Sequence, residues 1–171
     1  MSERANTPRT HDEVEMLSFD LAGEIFAIEA DLVREITDLM AETEVPGAAA
    51  FVPTVVNFRG KVIPVADLRL PFALQRTAAT RDSRIVVIEL ELDGDPTLIG
   101  LRADKVYEVL RLAWSRVDAA PGLGMRWRQD YVRRIGRKGD DPIIIPDLAR
   151  IFADRGEPGA PVSVTLPRAD A

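Results

Sequence analysis

The 171-residue sequence has no cysteine, a single histidine and few aromatic residues, and each shortage removes a class of chemistry. Without cysteine there is no disulfide, no thiolate nucleophile and no sulfur-ligated metal, a composition that suits a reducing cytoplasm. The one histidine, His11, stands in a polar stretch with no partner motif, so a His-dependent general base is excluded too. None of Ser2, Ser18, Ser83, Ser115 and Ser163 sits in a nucleophile-elbow context, and no triad can be assembled around them. Gly122-Leu123-Gly124 lacks the preceding strand and third glycine of a dinucleotide fingerprint. The turn carboxylates Asp93, Asp95, Asp140 and Asp141 lack calcium-loop spacing. The sequence therefore points to no catalytic residue, no metal ligand set and no cofactor. Long apolar runs are missing as well, and residues 1–14 hold no apolar leader segment, so neither export nor membrane insertion is expected.

What is present is a folding composition: 46% hydrophobic residues beside 29% charged ones, with a formal charge of -6 that opposes non-specific attraction to phosphate or anionic lipid. The apolar residues come in short runs, Met16–Leu21, Ile25–Ile28, Val52–Phe58, Val62–Ala66, Ile85–Leu92, Leu98–Leu101, Val106–Leu112 and Ile143–Ile145, which read as strands. Ala22-Gly23-Glu24, Arg59-Gly60-Lys61, Asp93-Gly94-Asp95 and Lys138-Gly139-Asp140 each place a glycine where a hairpin needs positive φ, which predicts four hairpins. Helices are expected only as short connectors near Asp67–Phe72, near Arg126–Val132 and at Asp147–Ala153, where Asp147 is the N-cap. The fold class is all-β.

The chain also repeats itself. Phe19, Leu21 and Gly23 match Leu90, Leu92 and Gly94 at an offset of about 71. Ala30-Asp31, Val33, Glu35 and Ile36 match Ala103-Asp104, Val106, Glu108 and Val109 at about 73, and Ile63-Pro64-Val65 with Asp67-Leu68 and Phe72 match Ile143-Ile144-Ile145 with Asp147-Leu148 and Phe152 at about 80. Ordered blocks with growing offsets indicate a duplication. Sheets this small manage their edges by closing, so two five-stranded β-barrel subdomains are expected, at 15–80 and 81–154, between a disordered N-terminus (1–14) and a flexible tail (155–171). A groove between two barrels is a natural seat for a helix or strand. The basic run Arg126, Arg128, Arg133, Arg134, Arg137 and Lys138, interleaved with Trp127 and Tyr131, offers a rival reading as a single-strand nucleic-acid face, disfavoured on an acidic protein. An enzyme using paired carboxylates has no motif to support it.

The segment Val55-Val56-Asn57-Phe58-Arg59-Gly60-Lys61-Val62-Ile63-Pro64-Val65-Ala66-Asp67-Leu68-Arg69 resembles the N-L-R-G-x-V-I-P-V-x-D-L-R signature of the chemotaxis coupling protein (CheW) family. Gly23–Ile28 with Val33–Ile36, Arg84–Val87, and Gly100–Asp104 with Val106–Leu112 are similar to that family's blocks in its order, over about residues 15 to 154. The resemblance implies two SH3-like barrels and a non-catalytic adaptor, monomeric when free. It would link a CheA-type histidine kinase regulatory domain to the cytoplasmic tip of chemoreceptors, in the cytoplasm at receptor arrays on the inner face of the membrane, with no nucleic acid among its partners. A related chemosensory pathway controlling motility, pili or development is the alternative. Carried over by motif, Val33, Glu35, Asn57, Arg59 and Gly60 match partner-binding positions, and Ile85, Val86 and Gly100 match positions lining the receptor groove. An ion pair between Glu35 and Arg59 would orient the Arg59 hairpin as an interface anchor. Thr54 stands where the family has glycine, Phe58 replaces a leucine, Pro146 interrupts the last strand, and the loop Asp38–Ala50 is long.

Overall fold

A computed structural model describes residues 13–113, 118–119 and 129–154. Within them the chain forms twelve strands and one helix: β1 (Glu13–Leu21), β2 (Glu24–Glu29), β3 (Val33–Asp38), β4 (Thr43–Glu44), β5 (Thr54–Phe58), β6 (Lys61–Ala66), β7 (Arg84–Leu92), β8 (Asp95–Ala103), β9 (Lys105–Ala113), β10 (Asp118–Ala119), β11 (Val132–Lys138), β12 (Asp141–Pro146) and α1 (Leu148–Ala153). The four predicted hairpins are present. Three share one loop geometry, two residues with positive φ: Ala22 and Gly23 (52° and 82°), Arg59 and Gly60 (50° and 80°), Asp93 and Gly94 (52° and 82°). That mirror-image turn matches the twist of the flanking strands, which is why glycine fills its second place. Asp147 caps α1 as expected, its carboxylate accepting the Arg150 amide at 3.1 Å. Of the connector expected near Arg126–Val132, a single 3-10 turn at Gln129–Tyr131 is described, and 126–128 lie outside the described residues, as do 1–12 and 155–171. Glu13 and Val14 already belong to β1.

The strands make two sheets, ordered β10-β11-β12-β2-β1-β9 and β4-β5-β6-β8-β7-β3. Read side by side, these are one pattern written twice, each with five principal strands and a two-residue strand at one edge. Each holds a single parallel pair, β12 with β2 and β6 with β8. The copies do not fold separately, however. The β1–β2 hairpin of the first repeat pairs with β9 and β12 of the second, and the β7–β8 hairpin of the second pairs with β3 and β6 of the first. The halves 15–80 and 81–154 are thus halves of the sequence, and each sheet draws strands from both.

Exchange explains the long apolar runs. On β7, Ile85 and Val87 point into one barrel with Val56, Ile63 and Val65, whereas Val86, Ile88 and Leu90 face the layer between the sheets. On β1, Met16 joins Ala27, Ile143 and Ile145 inside the other barrel, and Leu17, Phe19 and Leu21 enter the shared layer. Strands covered on both faces lose the alternation that a half-solvated strand shows. Ring contacts stitch the shared layer, with Phe26 edge-on to Phe72 at 5.1 Å and Phe51 against Phe152 at 4.9 Å. Ser18, wholly buried on β1, donates to the Glu108 carbonyl at 3.0 Å.

Candidate functional site

The expected hairpin face is assembled by β3, β5 and β6. Arg59 is forced outward by its positive φ at the turn, where its side chain is 74% exposed, and its Nη2 lies 2.7 Å from Glu35 Oε2 on edge strand β3. The guanidinium also stacks over Phe58, 5.4 Å from the ring centroid. Asn57 accepts the Gly60 amide at 3.0 Å through Oδ1, so the side chain two residues before the arginine closes the turn that displays it. Val33 is half-buried against the shared layer. Beside this polar centre Val62, opposite Asn57 in the hairpin, is 70% exposed, whereas Ile36, 42% exposed, leaves the other face of β3 from Glu35. An arginine held by a carboxylate beside an exposed aliphatic is the make-up of a protein-docking face.

Ile85, Val86 and Gly100 are placed elsewhere. Ile85 and Val86 are fully buried, on opposite faces of β7, and a Cβ on Gly100 would stand 2.8 Å from Ile85 Cγ2. All three are buried, and the close approach of Gly100 to Ile85 sets the spacing of β8 on β7 at that point. Thr54, at the position of a family glycine, is buried with its hydroxyl unpaired.

Two further features stand beside the hairpin, the second of them in the place of the groove expected between the barrels. One is the counterpart of the hairpin pair: Glu108 on β9 lies 2.7 Å from Lys138 at the β11–β12 turn, and Lys138 also sits 5.5 Å from the Tyr107 ring centroid. The repeat offers the signal, because Glu35 aligns with Glu108 and Arg59-Gly60 with Lys138-Gly139. The other is a cavity of about 390 Å³ between the sheets, walled by Met16, Ile28, Leu90, Ile145 and Leu148 and rimmed by Glu29, Arg133 and Asp147. Arg133 and Glu29 pair across that rim at 2.9 Å. Arg133 of the basic run therefore answers an acid of the opposite repeat and Lys138 one of its own, and Tyr131 is fully buried and offers no stacking platform for a base. Among the described residues no group of acids and histidine is arranged to hold a metal ion, and no helix is long and apolar enough to cross a membrane.

These features have relatives. The chain is 29% identical over 139 residues to the chemotaxis protein CheW of Klebsiella aerogenes, covering 81% of each chain. It is 30% identical over 106 residues to the chemotaxis protein CheW of Bacillus subtilis, covering 62% of this chain and 65% of that one. The fold superimposes on the crystal structure of the scaffolding protein TtCheW from Thermoanaerobacter tengcongensis with a TM-score of 0.75 at 26% identity, over 92% of this chain and 97% of that one. The model of the CheW-like domain matches residues 15–156, which takes in both sheets and the hairpin of Arg59. Two SH3-like β subdomains, the Asn-Phe-Arg-Gly hairpin and that match together make this chain a member of the CheW-like domain family.

Proposed function

We propose that the protein is a non-catalytic adaptor that couples methyl-accepting chemoreceptors to a CheA-type histidine kinase, in the cytoplasm and at receptor arrays on the inner face of the membrane. The observation that carries this reading is the Glu35–Arg59 pair on a hairpin closed by Asn57, with Val62 exposed in the same hairpin. That face takes the kinase regulatory domain, with Val33, Glu35, Asn57, Arg59 and Gly60 as its centre. The cavity between the sheets suits the receptor tip, because an amphipathic helix laid along the molecule meets an apolar floor with charges at the rim. Ile85, Val86 and Gly100 support binding by fixing the shape beneath.

Co-elution of the purified protein with a receptor cytoplasmic fragment and a CheA-type regulatory domain tests the reading. A ternary complex that Arg59→Ala weakens, without loss of fold, is the expected result. A protein that binds neither component overturns the reading, and an Arg59→Ala variant that fails to fold makes the hairpin structural instead.

A further inference from the structure

The near-twofold relation between the repeats lets each place on one half be compared with its counterpart, and at one place the halves differ. In the first repeat the chain leaves β6 and turns at Asp67, whose carboxylate accepts the Arg69 amide at 3.0 Å. The same carboxylate holds the Arg69 guanidinium, through Nε at 2.9 Å and Nη2 at 2.6 Å. Arg69 is only 7% exposed, because the segment that follows lies over it: Nη1 donates to the Thr77 carbonyl at 2.9 Å and contacts its hydroxyl at 2.7 Å. A buried arginine with its own carboxylate thus fills this place.

In the second repeat the chain leaves β12 and turns at Asp147, which likewise accepts a backbone amide, that of Arg150. Here the residue at the arginine's position is Ala149, which is exposed, and among the described residues no cation is paired with the Asp147 carboxylate. The space beside it is the cavity of about 390 Å³, with Met16, Ile28 and Leu148 as walls. A carboxylate without a cation, apolar walls that suit an aliphatic stem, and an intramolecular precedent in the other repeat describe an arginine site without its arginine. Although Arg133 already pairs with Glu29 at the rim, acids outnumber bases around the place. Glu29 at the rim also borders a neighbouring hollow lined by Glu13, Glu15 and Asp31 against Arg111 alone.

We propose that this cavity receives an arginine side chain from an apolar-faced segment of the protein partner, its guanidinium seated on Asp147 as that of Arg69 is on Asp67. The proposal rests on the adaptor reading and supplies the chemistry by which the inter-sheet cavity selects its receptor segment. Arginine fits better than lysine, because a planar fork engages both carboxylate oxygens while the stem packs on the walls.

Calorimetric titration of the full-length protein with a chemoreceptor cytoplasmic fragment, and separately with a CheA-type regulatory domain, tests it. Ala149→Arg installs the side chain that the counterpart position carries, and Asp147→Asn removes the charge while keeping a side chain able to cap α1. Each is expected to weaken the receptor fragment about tenfold or more, the effect of one charge-assisted pair, with the affinity for the kinase domain unchanged. Unaltered receptor affinity in both variants overturns the arginine site and leaves the adaptor reading standing. A wild-type protein that binds neither component overturns both. Self-association of the free protein that Ala149→Arg abolishes assigns the place to a second copy, and a gain in receptor affinity on joint Arg155→Ala and Arg168→Ala assigns it to the chain's own C-terminal residues; either result overturns the assignment to a partner.

Discussion

Arg59 shows how little a functional side chain need contribute to the fold that presents it. Its pair with Glu35 is largely in solvent, and exposed pairs are worth only about 0.2 to 1 kcal/mol. Arg59→Ala should therefore leave the melting temperature almost unchanged while weakening the kinase-domain complex by a factor of ten or more, about 1.4 kcal/mol, as titration and a thermal melt will show together. Gly100 is the opposite case. A methyl group there meets Ile85 Cγ2 at 2.8 Å in a packed barrel, so Gly100→Ala should destabilise by about 1 to 3 kcal/mol, and Ile85→Ala in the same chain should relieve the clash. Measured by denaturant unfolding, a neutral Gly100→Ala would show that β8 can shift away.

Tyr107 is a third residue with a measurable consequence. Burial raises its hydroxyl above the ordinary 10.0, and the charge of Asp20 and a 3.3 Å hydrogen bond to its carboxylate raise it further, against the opposing effect of Lys138. Because the folded value lies above the unfolded one, the stabilisation is complete below pH 10.0 and fades as pH climbs through the raised value. Unfolding free energy should fall across that alkaline window in the wild type and fall less in Tyr107→Phe. The pairing of Glu35 with Arg59 was legible in the sequence because both sit in short motifs with strong local geometry. From the residues alone Ile85 and Val86 read as ordinary core, which their burial bears out; that they face opposite ways was not legible, because an apolar run reads the same whether one or both faces are covered.

At the scale of elements, turn chemistry was the most legible feature, and all four glycine-marked hairpins formed. Besides the two-residue strands β4 and β10, the strands that the apolar runs missed are β3 and β11, whose sequences Val-Arg-Glu-Ile-Thr-Asp and Val-Arg-Arg-Ile-Gly-Arg-Lys carry charges between their apolar residues. On β11 the charges read as a nucleic-acid face, whereas Arg133 answers Glu29 across the repeat boundary and Lys138 answers Glu108 within its own repeat. No local pattern encodes a partner 104 residues away, as Glu29 is from Arg133, or 30 away, as Glu108 is from Lys138. The segment after β6 depends on Arg69, whose guanidinium is kept charged chiefly by its hydrogen bond to Asp67, against the cost of burial. Arg69→Ala removes the Thr77 anchors and leaves Asp67 without its cation, at about 1 to 3 kcal/mol. Amide exchange along residues 74–83 should accelerate in that variant while the hairpin of Arg59 stays protected.

At the scale of the molecule, the sequence repeat announced two similar sheets but not their exchange of hairpins. Offsets between matching blocks record order along the chain, and pairing partners are invisible to them. The exchange predicts cooperativity: with β1 and β2 in one sheet and β3 to β6 in the other, neither sheet can open without exposing the layer that both share. Equilibrium unfolding should show a single transition, with amide exchange at Ile28 in β2 and at Leu101 in β8 reporting the same free energy. Two separate transitions would mean that the sheets part before they melt.

The exchanged hairpins also bear on how such a chain can change over generations. A substitution on an inner face of β1 or β7 is judged at once against strands that the other copy supplies, so the two copies are bound to drift together wherever they touch. Only their outward surfaces are free to part, and Arg69 against Ala149 marks one place where the twins have already gone separate ways.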